Sequence, residues 1–146
     1  MADPVAYNFT VREGYTRRLH LAALAANGDP FNFTSTTVEF IAKEKSTSVT
    51  VAIEYSLVVD GSGVGVSDPT GRMALGEPDE TDPDGALVNT AATTGNVTIT
   101  FDPADSEELA TTADKTYSYE VRVTTATQKH LLGFGTITVK DSLFSD

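Results

Sequence analysis

The last third of the chain constrains the fold most. Residues 95–101 read Gly95-Asn96-Val97-Thr98-Ile99-Thr100-Phe101, residues 117–123 read Tyr117-Ser118-Tyr119-Glu120-Val121-Arg122-Val123, and residues 135–139 read Gly135-Thr136-Ile137-Thr138-Val139. Apolar and polar side chains alternate in each. Successive side chains of a strand point to opposite faces, so this pattern requires sheets with one buried and one wet face. Val97, Ile99, Phe101, Tyr117, Tyr119 and Val121 are therefore expected in one core between two sheets. Between the first two segments, Asp102 can cap a helical turn, with Pro103 at its first position and acids in its first turn. Leu109 would pin that turn to the core. Thr125 to Lys129 turns the chain back, so that Leu131 to Val139 pairs with the preceding strand.

The upstream sequence continues the pattern. Tyr7 to Val11 reads as a first strand ended by Gly14, and Thr16 to Leu24 as a second, with Leu19 and Leu21 on one face and Arg18 and His20 on the other. Asn27-Gly28-Asp29-Pro30 is a turn signal. Phe31 and Phe33 lead into Val38 to Ala42, Lys43 to Ser46 reads as a loop, and Val49 to Val59 as another strand region. Asp60 to Asn89 is different, with six glycines and three prolines. A connection of this length is functional, partly disordered, or contains a short strand, for which Val64-Gly65-Val66 is the candidate. Ordered structure is expected to resume at Val97. Seven or eight strands with one helical turn specify an all-β Greek-key sandwich, a single domain over residues 1–146 with a long Gly/Pro/acid-rich loop region at about 60–89.

Composition supports this and narrows the function. Threonine is abundant, at 22 residues, and its branched Cβ suits a pleated surface. There are no cysteines, which removes disulfides, thiolate metal sites and cysteine nucleophiles. No apolar run reaches membrane-spanning length, and Met1-Ala2-Asp3-Pro4 lacks the features of a signal peptide. The formal net charge of −11 repels phosphate backbones and anionic lipid, so neither nucleic acid nor membrane is an expected partner. The acids cluster at Glu77, Asp79, Glu80, Asp82 and Asp84, and again at Asp102, Asp105, Glu107 and Glu108. The early part, with Arg12, Arg17, Arg18, Lys43 and Lys45, is nearer balance; a basic docking face is one reading, and a scattered solvated surface is the commoner explanation and the expectation.

Nothing in the chain spells out an active site, and no catalytic or cofactor-binding residues are assigned. His20 and His130 lack a Gly-x-Ser-x-Gly elbow or another marked nucleophile and read as surface or interface residues. Glu80, Asp82 and Asp84, followed by Gly85, resemble the start of a calcium loop. However, Glu stands at the first ligand position, Pro83 stiffens the run, and Ala91 occupies the place of the bidentate Glu. A solvated acidic loop with no metal is the expectation. The same acids lack the rigid opposed placement needed for glycoside hydrolysis. Gly61-Ser62-Gly63-Val64-Gly65 lacks the Gly-Lys-Ser/Thr of a phosphate loop. The sequons at Asn8, Asn32 and Asn96 read as chance matches in a Thr-rich chain. Phe31, Phe33, Phe40, Phe101, Tyr117 and Tyr119 read as sandwich core rather than a sugar-stacking platform.

Several segments carry a resemblance. Arg12-Glu13-Gly14-Tyr15-Thr16-Arg17-Arg18-Leu19-His20-Leu21, the Asn27-Gly28 turn before Phe33-Thr34, Gly95 to Thr100 with Ala104-Asp105, Tyr117 to Val123, and Leu131 to Val139 resemble small structural proteins of tailed phages and prophages. The best-described of these are the N-terminal immunoglobulin-like domains of upper baseplate proteins. The resemblance covers most of the chain outside Ser46 to Asn89. It implies an immunoglobulin-like sandwich, no catalysis, no cofactor, and a place in the virion, docked in symmetric copies on a major capsid, tail or baseplate protein. One domain without a fibre shaft tips the expectation toward capsid decoration over a tail-baseplate or fibre-attachment adaptor. The alternative is a carbohydrate-binding module that assists host adsorption.

Overall fold

The computed structural model describes residues 3–12, 14–44, 51–63, 66–67, 71–76, 91–101 and 115–140. They form ten strands: β1 (Val5–Ala6), β2 (Phe9–Arg12), β3 (Arg17–Ala22), β4 (Thr37–Lys43), β5 (Ile53–Val59), β6 (Val66–Ser67), β7 (Met73–Leu75), β8 (Asn96–Phe101), β9 (Lys115–Thr124) and β10 (Lys129–Lys140). The larger sheet runs β1-β10-β9-β4-β5-β6, with β2 also paired to β10, and the smaller runs β3-β8-β7. All pairs are antiparallel except those of β1 and β2, which lie parallel to β10. This is the strand order of a variable-type immunoglobulin sandwich, whose larger sheet gains two strands beyond the constant type. The expected immunoglobulin-like Greek-key sandwich is the observed fold.

The period-two faces meet between the sheets. Leu19, Leu21, Val97, Ile99, Phe101, Met73 and Leu75 come from the smaller sheet. Val38, Phe40, Leu57, Tyr119, Val121, Val123, Ile137 and Val139 come from the larger, and all are buried. The six core residues named from the last third are among the buried cluster. Antibody-type domains join their sheets here with a disulfide packed on a buried Trp. With no cysteine, this chain fills the centre with rings. Phe40 stacks on Tyr119 at 5.5 Å and on Tyr55 at 5.6 Å between centroids, and meets Phe101 edge-on at 5.4 Å. Phe9 closes the cluster against Tyr119 and Phe101 at 5.3 and 5.6 Å. Each such pair is worth about 0.5–1.5 kcal/mol beyond the area it buries.

Several local expectations are corrected. The first strand is broken at Tyr7-Asn8 into β1 and β2, where the segment runs close beside Gly135 of β10 and a Cβ on that glycine would collide with the carbonyl of Tyr7. β4 continues through Lys43 rather than ending at Ala42, since Lys43 still pairs with Ser118 of β9. The 60–89 region is more than a loop. Val66 enters β6 against Val59, and Met73 to Leu75 forms β7, buried throughout and paired to β8. Strand structure is therefore present before Val97, and a short 3₁₀ turn at Ala92–Thr94 precedes β8. β8 also departs from simple alternation. Thr98 and Thr100 are buried like their apolar neighbours, Thr98 because its hydroxyl donates to the carbonyl of Gly76 at 2.7 Å. The helical turn expected at Asp102 to Leu109 lies outside the described residues.

Candidate functional site

The outer face of the larger sheet carries the feature least explained by folding. Counting back from Ile137 and Val139 in steps of two turns Gly135 and Gly133 inward and Phe134 outward. A bulge between Leu131 and Gly133 then returns Leu132 to the core. Bulges re-aim side chains in this way. Phe134 is left 40% exposed in the middle of a long strand. The N-terminal strands lie directly beside these glycines in the sheet, and the carbonyl of Tyr7 leaves no space for a Cβ on Gly135. A Cβ on Gly133 would meet the carbonyl oxygen of Val5 at 3.3 Å.

Beside Phe134 lies a shallow concavity of about 340 Å³, whose wall is completed by Ile41, Glu39, Lys43, Glu120 and Arg122. Register fixes this arrangement. Glu120 is the partner of both Phe134 and Ile41, and Glu39 is the partner of Arg122. Nη2 of Arg122 donates to both carboxylate oxygens of Glu39, at 3.0 and 3.1 Å. Lys115 pairs with Glu44 further along the sheet. That carboxylate raises the lysine pKa, chiefly by hydrogen bonding to its ammonium. The result is an aromatic and an aliphatic side chain framed by charges of both signs. Such a patch suits a protein surface better than a small-molecule reaction, because an apolar centre with a polar rim is the anatomy of an interface.

The residues singled out for chemistry are not brought together. His20 lies on β3 of the smaller sheet and His130 on β10 of the larger. Nε2 of His20 is 3.0 Å from Oδ1 of Asn96. The amides of Ser62 and Gly63, which a phosphate loop would aim at its ligand, donate instead to Oδ1 of Asp60 at 2.9 and 3.2 Å. Of the aromatics, Phe33, Phe40, Phe101, Tyr117 and Tyr119 are buried, and Phe31 is half-buried. None of these six offers an open stacking face. The amide oxygens of Asn8 and Asn32 accept bonds from the backbone amides of Thr136 and Thr34. Glu80, Asp82 and Asp84 fall outside the described residues, and among the described residues no three His, Asp or Glu side chains gather as a metal site. Among them, no helix is long and apolar enough to cross a membrane. Phe134 was missed in the sequence as a surface residue, although the inward parity of Ile137 and Val139 already turns it out.

No protein-family model matches the chain, and no curated protein does. Solved structures resemble it at a distance. A domain from work on the multimeric cell-adhesive interactions of VGSC β subunits is 14% identical, with a TM-score of 0.49, over 94% of this chain and 92% of that one. The extracellular domain of the voltage-gated sodium channel β4 subunit is also 14% identical, with a TM-score of 0.47, over 99% and 93%. Murine CRIg is 10% identical, with a TM-score of 0.40, over 95% and 93%.

Proposed function

We propose that this chain is a non-enzymatic docking module and, in the setting its sequence resemblance implies, a structural protein of a tailed-phage virion. Its partner is another virion protein, the capsid in preference to the tail baseplate or a fibre base, and symmetry places it there in several copies. The observation that carries the docking reading is Phe134, an exposed aromatic next to Ile41 inside a frame of paired charges. A single aromatic anchor with a polar rim is how interfaces concentrate their binding energy. The burial of the other candidate aromatics weighs against the carbohydrate alternative.

Particle retention tests the reading. The wild-type protein should stay with purified particles through a density gradient, and a Phe134→Ala variant that folds normally should be lost from them. Copy number relative to the major capsid protein separates the sites, with hundreds for decoration and at most a few dozen for a tail or baseplate position. Absence of the wild-type protein from particles, despite abundance in infected cells, overturns the virion assignment. Retention of Phe134→Ala overturns the docking face.

A further inference from the structure

A second surface runs against the net charge of the chain, which is −11. Where the chain leaves β2 and turns into β3, an open hollow of about 500 Å³ is lined by Arg12, Arg17, Lys140, Thr10, Tyr15 and Thr16. Three of the ten Lys and Arg residues of a chain with 21 acids thus line one hollow, and among the described residues no acid does. Arg12 and Lys140 are register partners on β2 and β10. Like charges placed opposite one another on neighbouring strands repel and cost stability. Arg17 reaches the same hollow from β3, with its Nη2 donating to the hydroxyl of Tyr7 at 3.2 Å. Among the described residues no carboxylate pairs with Arg12, Arg17 or Lys140.

We infer that this hollow is a docking site for a short acidic peptide segment of a partner protein. Carboxylates placed there would relieve the repulsion between Arg12 and Lys140, and Arg17 can add bidentate hydrogen bonds. The hydroxyls of Thr10, Tyr15 and Thr16 supply further donors for the same acceptors. A long polyanion such as nucleic acid would extend beyond the hollow and meet the repulsion of a chain with a net charge of −11. A short acidic segment need touch only the basic lining, because exposed charges further away than about 8 Å are screened at physiological salt. The hollow shares no lining residue with the Phe134 concavity, so failure at either surface leaves the other to be judged separately.

A fluorescein-labelled hexaglutamate peptide is the probe, read by fluorescence anisotropy on the intact chain at low and at physiological salt. Saturable binding that weakens with salt is expected. Arg12→Gln with Arg17→Gln should weaken it by about tenfold or more, equivalent to about 1.4 kcal/mol, whereas Lys129→Gln, at the far end of β10, should leave it unchanged. Arg12→Gln alone should raise the melting temperature while lowering affinity, which separates a site held under repulsion from a folding defect. The inference is overturned by absence of saturable binding at low salt, or by binding that survives the double substitution. Equal competition by inorganic phosphate, or stronger binding of an oligonucleotide than of the peptide, overturns it as well.

Discussion

The hydroxyl of Tyr119 donates a 2.6 Å hydrogen bond to the backbone carbonyl of Tyr7. This bond crosses from the middle of β9 to the break between β1 and β2, over Gly135. The amide of Tyr7 meanwhile donates to the carbonyl of Phe134 at 2.9 Å. Beside the ladders of β1 and β2 with β10, one tyrosine thus belongs at once to the aromatic core and to a clasp on the N-terminal strands.

Tyr119→Phe should therefore fold, keep the ring cluster, and lose about 0.5–1.5 kcal/mol near neutral pH. Denaturant unfolding checks the size. A loss beyond about 3 kcal/mol would mean that the substitution disturbs the core rather than the clasp.

The same residue predicts an alkaline limit. Burial disfavours the phenolate, and the neighbouring Tyr7 adds to this, so the pKa of Tyr119 is pushed up from 10.0 to about 12. The unfolded chain loses its proton first. The contribution to stability is therefore complete below about pH 10 and is lost as pH rises from there through about 12. Burial also raises Tyr117, so Tyr119→Phe should flatten this alkaline decline in part. Melting curves across that range decide, and an unchanged slope in the variant would remove Tyr119 as its source.

Ile99 is fully buried and faces Leu19 and Met73 across the smaller sheet. Ile99→Ala should cost about 2–5 kcal/mol from lost burial and the cavity left behind. A change below about 0.5 kcal/mol would contradict the strand register.

Gly135→Ala places a Cβ against the carbonyl of Tyr7, with no room for a flexible group to yield. A loss of roughly 1–3 kcal/mol or more is expected. Faster amide exchange at Tyr7 and Thr136 should accompany it, because these two amides bond across the clasp to Phe134 and Asn8.

The ion pair of Glu39 with Arg122 is half-exposed. Replacing either partner should change stability by only about 0.2–1 kcal/mol. A double-mutant cycle with Glu39→Gln and Arg122→Gln measures the coupling. A value above about 2 kcal/mol would show that the pair organises the sheet rather than framing a surface.

The sheets were legible where alternation was uninterrupted. Val97, Ile99 and Phe101, with Tyr117, Tyr119 and Val121, could be assigned to one core because a period-two face has only one way to be buried. β7 escaped because Met73, Ala74 and Leu75 are three consecutive apolar-sized residues, buried on both faces, in a stretch whose glycines and prolines resemble a loop. The break at Tyr7-Asn8 escaped because Gly135, which makes it possible, lies far away in sequence. Long-range proximity of this kind also hid the basic hollow. Arg12 and Arg17 are close in the chain, but Lys140 joins them only through the parallel pairing of β2 with β10. Phe134 could have been found by parity, whereas its neighbours Ile41 and Glu39 required the register of β4 against β9.

The parallel run of β1 and β2 beside β10 has a mechanical consequence. Val5 sits opposite Gly133, and Arg12 opposite Lys140, so the chain enters this pair at one end and leaves it at the other. Tension between Asp3 and Lys140 would slide the strands lengthwise, loading their hydrogen bonds together instead of opening them one by one. In the antiparallel hairpin of β9 and β10, by contrast, a pull on Lys115 and Lys140 unzips from the open end. Single-molecule stretching from these two pairs of attachment points should give a higher rupture force for the first. A domain stretched along this axis would resist as a rigid link until the whole seam yields.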